Sequence, residues 1–541
     1  NSAIYGGAIR TDLNSSTTIS NSILVDNFAT TYGGAISVYD FSNVTVINST
    51  LHHNLANGTG DSLGGAIYGN QSTIITAVNS NFTDNYASHY AGAVFGESKS
   101  VVNMTNVNFE GNGAGLDGGA IRTYLNSTLL LDNAKFINNT AGQFGGAIAV
   151  YVNSTAKING IFFENNTAGD RGGAIRINEN STLTLEECEF NNNNASNYGG
   201  AIGGYANSHI IAINSNFTNN SARYGGAIRV DRNSSMNIRN SKFEDNFAET
   251  YGGAISAYDD AYINVTNHSF VGNHADGTGT SYGGAIYANA SSQIHISDSN
   301  FTHNNASDLG GAVYGQANSL INVTNSIFDD NKAGQRGGAI RAYANATVLI
   351  DNSVFTNNNA TDYGGAVGIY ANSTSIIKNT VFENNTASVR GGAIRVNANS
   401  TMTIVNCTFD NNSVNDGVGD SFGGAIGGYA NSTINIEDSK FTNNSALYGG
   451  AIRVDIDSTV NIKDSVFEDN FAVTYGGAIS AYDGAKLTVN NTTFIRNHAD
   501  GEGVSYGGAI YANASSEIHI IDSIFTENNA SDYGGAVYGE A

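Results

Sequence analysis

The residues with most chemistry to offer sit at fixed offsets from a recurring GGA[IV] tetrapeptide. Immediately after its Ile or Val the chain reads Arg10, Ser37, Tyr68, Phe95, Arg122, Ala149, Arg176 and Gly203. The next copies repeat the series as Arg229, Ser256, Tyr287, Tyr314, Arg341, Gly368, Arg395 and Gly427, and Arg453 opens a third round. Two residues further on stand Asp12, Tyr39, Asn70, Glu97, Tyr124, Tyr151, Asn178 and Tyr205. They are answered later by the same types, among them Tyr258, Tyr343, Tyr370, Tyr429 and Tyr482. Tyr offers a flat apolar surface with a polar tip, suited to sugar rings or protein side chains, and the Arg fork suits carboxylates. On an extended strand both positions point away from the Ile or Val of the tetrapeptide. The candidate binding face is therefore Arg10, Tyr39, Tyr68, Arg122, Tyr124, Tyr151, Arg176, Tyr205, Arg229, Tyr258, Tyr287, Tyr314, Arg341, Tyr343, Tyr370, Arg395, Tyr429, Arg453 and Tyr482. The competing reading is a lid: Tyr lying over small neighbours and Arg pairing with acids to cover a strand ladder.

Catalytic signatures are sparse. The ten His are dispersed, and those that match in the repeat, His274 with His498 and His295 with His519, lie far apart in the chain. No H-E-x-x-H, C-x-x-C, G-x-S-x-G or P-loop occurs. Carboxylates such as Glu244 and Asp245 fill the variable positions of a second motif, F-x-x-N, and read as a solvated acidic edge. The expectation is a protein without catalysis, with a polysaccharide-cleaving enzyme as the weaker alternative. The Asp- and Gly-bearing insertions at 57–62, 276–281, 415–420 and 500–505 could offer oxygens to calcium. They lack the nonapeptide pattern of calcium-binding rolls and read better as turns. No cofactor is expected.

The tetrapeptide also fixes the elements that carry these residues. Its first Gly falls at 6, 33, 64, 118, 145, 172, 199, 225, 252, 283, 310, 337, 364, 391, 423, 449, 476, 507 and 534, with a degenerate copy at Ala91. The commonest spacing is 27 residues, and F-x-x-N keeps step with it. Apolar residues alternate within a unit: Ile228 and Val230, then Met236 and Ile238, are separated by polar residues. Period two means strands, about three per unit, broken by Asn, Ser and Gly. Such a unit cannot bury its own apolar face but can do so when stacked on its neighbours. The fold class expected is a parallel β-helix of about twenty coils, one continuous solenoid over 1–541, with a rise of ~4.8 Å per coil and a length of roughly 95 Å.

Spacings recur over a longer period, giving eight-coil blocks at 5–223 and 224–447 and a partial block at 448–541. Stacking predicts a ladder of side-chain amides from the Asn of F-x-x-N: Asn220, Asn246, Asn273, Asn304, Asn331, Asn358, Asn385, Asn412, Asn444, Asn470, Asn497 and Asn528. Cys188 and Cys407 occupy one inward place in consecutive blocks, eight coils or roughly 38 Å apart, and are expected to be buried free thiols and not a disulfide.

Composition narrows the partners. The net charge is −24 and the pI about 4.6, which excludes a nucleic-acid partner needing basic patches. There is no Pro, 65 residues are Gly, and no apolar run is long enough to span a membrane. N-x-[ST] triplets are frequent, and Asn14, Asn126, Asn153, Asn180, Asn233, Asn372, Asn399 and Asn431, in the turn after the first strand, are possible glycosylation sites. The chain opens and closes in mid-pattern, which predicts a piece of something longer or an end-to-end filament subunit.

The phased pairing of GGA[ILV] with F-x-x-N resembles the passenger repeats of the polymorphic outer-membrane proteins of Chlamydia. It is also similar to large adhesin-like surface proteins of methanogenic archaea. That resemblance implies a right-handed β-helix, secretion, display at a cell surface and adhesion. Its partners would be a glycan or protein on another cell, or further copies of itself.

Overall fold

The computed structural model describes residues 1–415, 421–501 and 503–540, and every regular element among them is a strand. The chain winds as a parallel β-solenoid of about 20 turns with about 27 residues each. It divides into two compact units, Asn1–Asn264 and Val265–Ala541.

In the first unit a representative winding runs through strands Ile228–Val230, Ser235–Arg239, Lys242–Glu244 and Phe247–Tyr251. In the second unit the equivalent strands are Ile452–Val454, Thr459–Lys463, Val466–Glu468 and Phe471–Tyr475. Four strands per winding exceed the three expected. The extra one follows the ladder Asn at once, where the sequence reads as a turn. It forms because an Ala two residues after that Asn packs inward, as Ala248 and Ala472 do with no exposed surface. One small residue is a weak periodic signal beside Ile or Phe.

Each strand pairs in parallel with its counterpart one winding away, so like residues fall on like: Phe109 on Phe136 in one unit, Phe328 on Phe355 in the other. Their rings stack at 4.7 and 4.8 Å. Ala227, Ile228, Val230, Met236, Ile238 and Phe243 are all fully buried, which is the inward set expected. Each such Phe contributes on the order of 2–3 kcal/mol by leaving water.

Corners are made by left-handed residues. Asn233, Asn240, Asp245 and Gly252 have φ of 57°, 51°, 51° and 66° within one winding, which explains the wealth of Asn, Asp and Gly. The second Gly of each pair is needed for space: a Cβ on Gly338 would run into the carbonyl oxygen of Gly365 in the next winding.

The corner after Phe is closed by the Asn column. Asn358 Nδ2 donates to Asn385 Oδ1 at 3.0 Å and to the carbonyl of Phe328 at 2.9 Å. Its own Oδ1 accepts from the backbone N–H and Nδ2 of Asn331. The pattern runs through Asn220 and Asn246 in the first unit. In the second it runs through Asn273, Asn304, Asn331, Asn358, Asn385, Asn412, Asn444, Asn470, Asn497 and Asn528.

Serine columns close two further corners, and their hydrogen bonding was not foreseen. The N–H of Ser299 donates to Ser326 Oγ, that of Ser326 to Ser353 Oγ, and that of Ser373 to Ser400 Oγ.

Candidate binding groove

Three columns, not two, build the outer face of the Ile228–Val230 type of strand. The middle one holds the residue after Ile, and the second holds the Tyr or polar residue two places on. The third holds the residue just before the Gly pair, such as Tyr90, Phe144, Tyr198, Tyr363 or Phe422. Sequence reasoning passed over that third column, although it is visibly aromatic or basic in most repeats. Its residues bridge from winding to winding, as Phe144 to Arg171 and Arg171 to Tyr198.

The two flanking columns close over the middle one, and this corrects the expectation of an open Arg/Tyr stripe. Arg122, Arg176, Arg229, Arg341, Arg395 and Arg453 are at most 6% exposed, and Tyr68, Tyr287 and Tyr314 are also buried. Tyr39, Tyr151, Tyr370, Tyr429 and Tyr482 are half-buried. Arg10, Tyr124, Tyr205, Tyr258 and Tyr343 are the exposed members. The reason is stacking: the Arg122 guanidinium lies 3.7 Å from the Tyr90 ring centre and 4.3 Å from that of Tyr151. Arg176 sits 4.3 Å from Phe144, and Arg453 4.3 Å from Tyr482. A guanidinium held between rings keeps a favourable electrostatic partner after losing water.

The groove opens in places. In the unit Asn1–Asn264 a cavity of about 550 Å³ is walled by Arg171, Tyr198, Tyr205, Arg229, Asp231 and Tyr258 among others. There Asp231 takes Arg171 on one oxygen at 2.5 Å and Arg229 on the other at 3.2 Å. In the unit Val265–Ala541 a cavity of about 330 Å³ is walled by four arginines, Arg336, Arg341, Arg390 and Arg395, with Tyr363, Tyr370 and Tyr429. Such walls can take hold of an anion or a flat ring.

The thiols are buried and unpaired: Cys188 donates to the carbonyl of Glu186 at 3.2 Å, Cys407 to that of Val405 at 3.3 Å. Burial pushes each up to about 11.

The eight singled-out sequon residues, Asn14, Asn126, Asn153, Asn180, Asn233, Asn372, Asn399 and Asn431, are exposed, with φ between 54° and 58°. In seven of them the next residue is a buried column Ser, such as Ser127 or Ser400. The fold alone thus accounts for the Asn-Ser pairs.

Among the described residues no group of three or more His, Cys, Asp or Glu is arranged to hold a metal ion. The 57–62 insertion is exposed at Asn57 and from Thr59 to Asp61 and folds on itself through the N–H of Gly58 donating to Ser62 Oγ. Gly277 and Ser281 make the same contact in the 276–281 insertion. The 415–420 insertion past Asn415, and Glu502 of 500–505, lie outside the described residues.

The comparisons fit this architecture. A family model described as a right handed beta helix region matches residues 119–301, 200–381 and 278–426, together more than half of the chain. The chain belongs to the right-handed β-helix family. The Chlamydia polymorphic membrane protein repeat matches residues 464–482 and 522–540. Both matches hold a GGA tetrapeptide, at Gly476 and Gly534. No curated protein matches the sequence. Among solved structures, the periplasmic alginate epimerase AlgG aligns at a TM-score of 0.29 and 9% identity, over 74% of this chain and 77% of that one. A mutant of the PL6 family alginate lyase AlyGC aligns at 0.18 and 11%, over 99% and 96%. At scores this low neither likeness bears on the chemistry of this chain.

Proposed function

We propose that this β-helix is displayed at a cell surface and acts as an adhesin-like protein, without catalysis, holding a glycan or protein of another cell, or a further copy of itself, in the aromatic and arginine groove. The observation that carries the reading is the groove's repetition: rings and guanidiniums recur along each unit, with a cavity in each. Weak contacts repeated on one rigid support gain strength by avidity. The Chlamydia-type repeats support a surface or outer-membrane location. The carboxylates of the F-x-x-N corners, Asp245 for one, sit on exposed turns instead of lining a cleft, which supports the absence of catalysis. Sparse glycosylation at the exposed sequons accompanies an extracellular location, and intact mass of the native protein measures it.

A second reading, a passive stalk whose aromatic face is only a cover, is favoured by the burial of the arginines. One experiment separates the two. With Tyr124, Tyr151, Tyr343 and Tyr370 changed to Ser, attachment to cells falls if the groove binds. Undiminished attachment by the folded variant leaves the stalk.

A further inference from the structure

The four-arginine cavity of the unit Val265–Ala541 has more positive charge than the fold answers. Arg390 pairs with Asp455, which Arg453 also holds at 2.6 Å. No ion pair within 4.0 Å is made by Arg336, Arg341 or Arg395 among the described residues. Arg341 is only 2% exposed, and its Nε and that of Arg336 are buried without a hydrogen-bond partner. A buried donor without a partner costs stability. Burial lowers Arg341 to about 10 and Arg395 to about 9, with neighbouring Arg390 adding to the latter, so both stay charged at neutral pH.

Gly368 gives the Arg341 side chain its room on this wall. A Cβ there would stand 3.2 Å from both Cδ and Nη1 of Arg341. Aromatic rings make the other walls, with Tyr363 4.9 Å from the Arg336 guanidinium and Tyr370 4.8 Å from that of Arg341.

The repeat supplies its own control. In the first unit, 219 residues earlier, the matching positions are Asp117, Arg122, Arg171 and Arg176, and Ala149 stands for Gly368. There Asp117 lies 3.8 Å from Arg122, and Asp231 takes Arg171. That unit gives acids to Arg122 and Arg171 but leaves Arg176 with Nε and Nη1 buried and unpartnered; in the second unit Arg336 replaces the acid, and Arg336, Arg341 and Arg395 all lack one among the described residues.

We propose that the Arg336/Arg341/Arg390/Arg395 cavity binds an acidic saccharide, its ring carboxylate entering the guanidinium cluster and its apolar face lying on Tyr363 and Tyr370. This rests on the adhesin reading and names its ligand class. Arg forks match a carboxylate in geometry as well as charge, and a sugar face against Tyr excludes water from that pairing.

The test is calorimetric titration of the whole chain with a galacturonate octamer, its methyl ester, sialyllactose and sodium sulfate. The carboxylate forms are expected to bind at one site, the ester not at all, and sulfate more weakly than the octamer. Whichever acid binds more tightly names the source of the carboxylate. Arg336→Asp should weaken binding roughly ten- to hundredfold without loss of fold, since Asp117 holds that place in the first unit. Asp117→Arg combined with Ala149→Gly should raise the stoichiometry from one to two. Equal binding of the ester, indifference to Arg336→Asp, sulfate as tight as the octamer, or a folded double variant still at one site would each overturn the proposal. Tight octamer binding by a chain whose tyrosine variants attach cells undiminished would sink the adhesin reading alone. A chain that attaches cells but binds neither acid would sink the cavity alone.

Discussion

Tyr343 and Tyr370 lie ring over ring on successive windings, their centres 4.9 Å apart and their planes 7° from parallel. Tyr343 is 36% exposed, whereas Tyr370 is half-buried and carries the Arg341 guanidinium against its face. Removing either ring breaks the same stack, but only Tyr370→Ala also uncovers a buried cation. Tyr370→Ala should therefore cost about 1–3 kcal/mol and Tyr343→Ala about 1 kcal/mol or less, read from urea midpoints. Equal losses would mean that the ring does nothing for Arg341.

The Asn column makes a sharper prediction. Asn358 is fully buried and its side chain takes part in four hydrogen bonds, two as donor and two as acceptor. Asn358→Ala strands donors and acceptors together and should cost about 3 kcal/mol or more. Asn358→Asp keeps the shape but sets a carboxylate against the oxygens of Asn385 and Phe328, so near neutral pH it should be worse than Ala. Those oxygens and burial raise the acid's folded pKa, so the penalty is present above that value and shrinks as pH falls and the protonated carboxyl donates. A urea series on both variants at falling pH checks the crossing; an Asp variant insensitive to pH refutes the account.

Fold and corner chemistry were legible because each winding repeats them. Ile228, Val230, Met236, Ile238 and Phe243 recur with strand alternation, and the Asn of F-x-x-N recurs with them. The hydrogen bonding of the serine columns was hidden because Ser also marks ordinary turns, and Ala, Thr or Cys stands in for it at several places, as at Ala346, Thr380, Cys188 and Cys407. The groove was only half legible. Alternation tells which side of a strand Arg122 takes, but Tyr90 and Tyr151 decide whether that side meets water. Those partners come from adjacent windings, and no short stretch of sequence contains all three.

Gly338 tests the stacking distance itself. Its φ is not left-handed, so Ala would suit the local backbone, yet the new Cβ would meet the carbonyl oxygens of Gly365 and Asn359 in the next winding. Windings cannot spread without breaking their ladders, so Gly338→Ala should cost about 4 kcal/mol or more, in the range reserved for overpacking against an unyielding wall. Hydrogen exchange should show the loss first in the flanking windings, because a solenoid's stability is set between neighbours. A variant as stable as the parent would mean that the windings can slide apart.

The two thiols predict a pH dependence whose sign is fixed by burial. Ordinary ionisation at about 9 describes the unfolded chain, and burial raises Cys188 and Cys407 to about 11 in the folded one. The fold thus holds these protons more tightly than the open chain does. Their contribution is intact below about pH 9 and is lost as pH climbs from there to about 11, by up to about 2–3 kcal/mol per thiol. Tyrosines titrate in the same window, so the parent alone cannot isolate the effect. Ser is the usual occupant of this column, as at Ser215 and Ser439, which accept the N–H groups of Cys188 and Cys407. A chain with Cys188→Ser and Cys407→Ser should keep the column and lose only the thiol part. Its stability should fall less steeply than the parent's between about pH 8 and pH 10.5. A thiol reagent near neutral pH should label the folded parent far more slowly than the urea-unfolded chain. Rapid labelling of the folded chain, or parallel pH curves for parent and variant, would show that the column opens to water without unfolding.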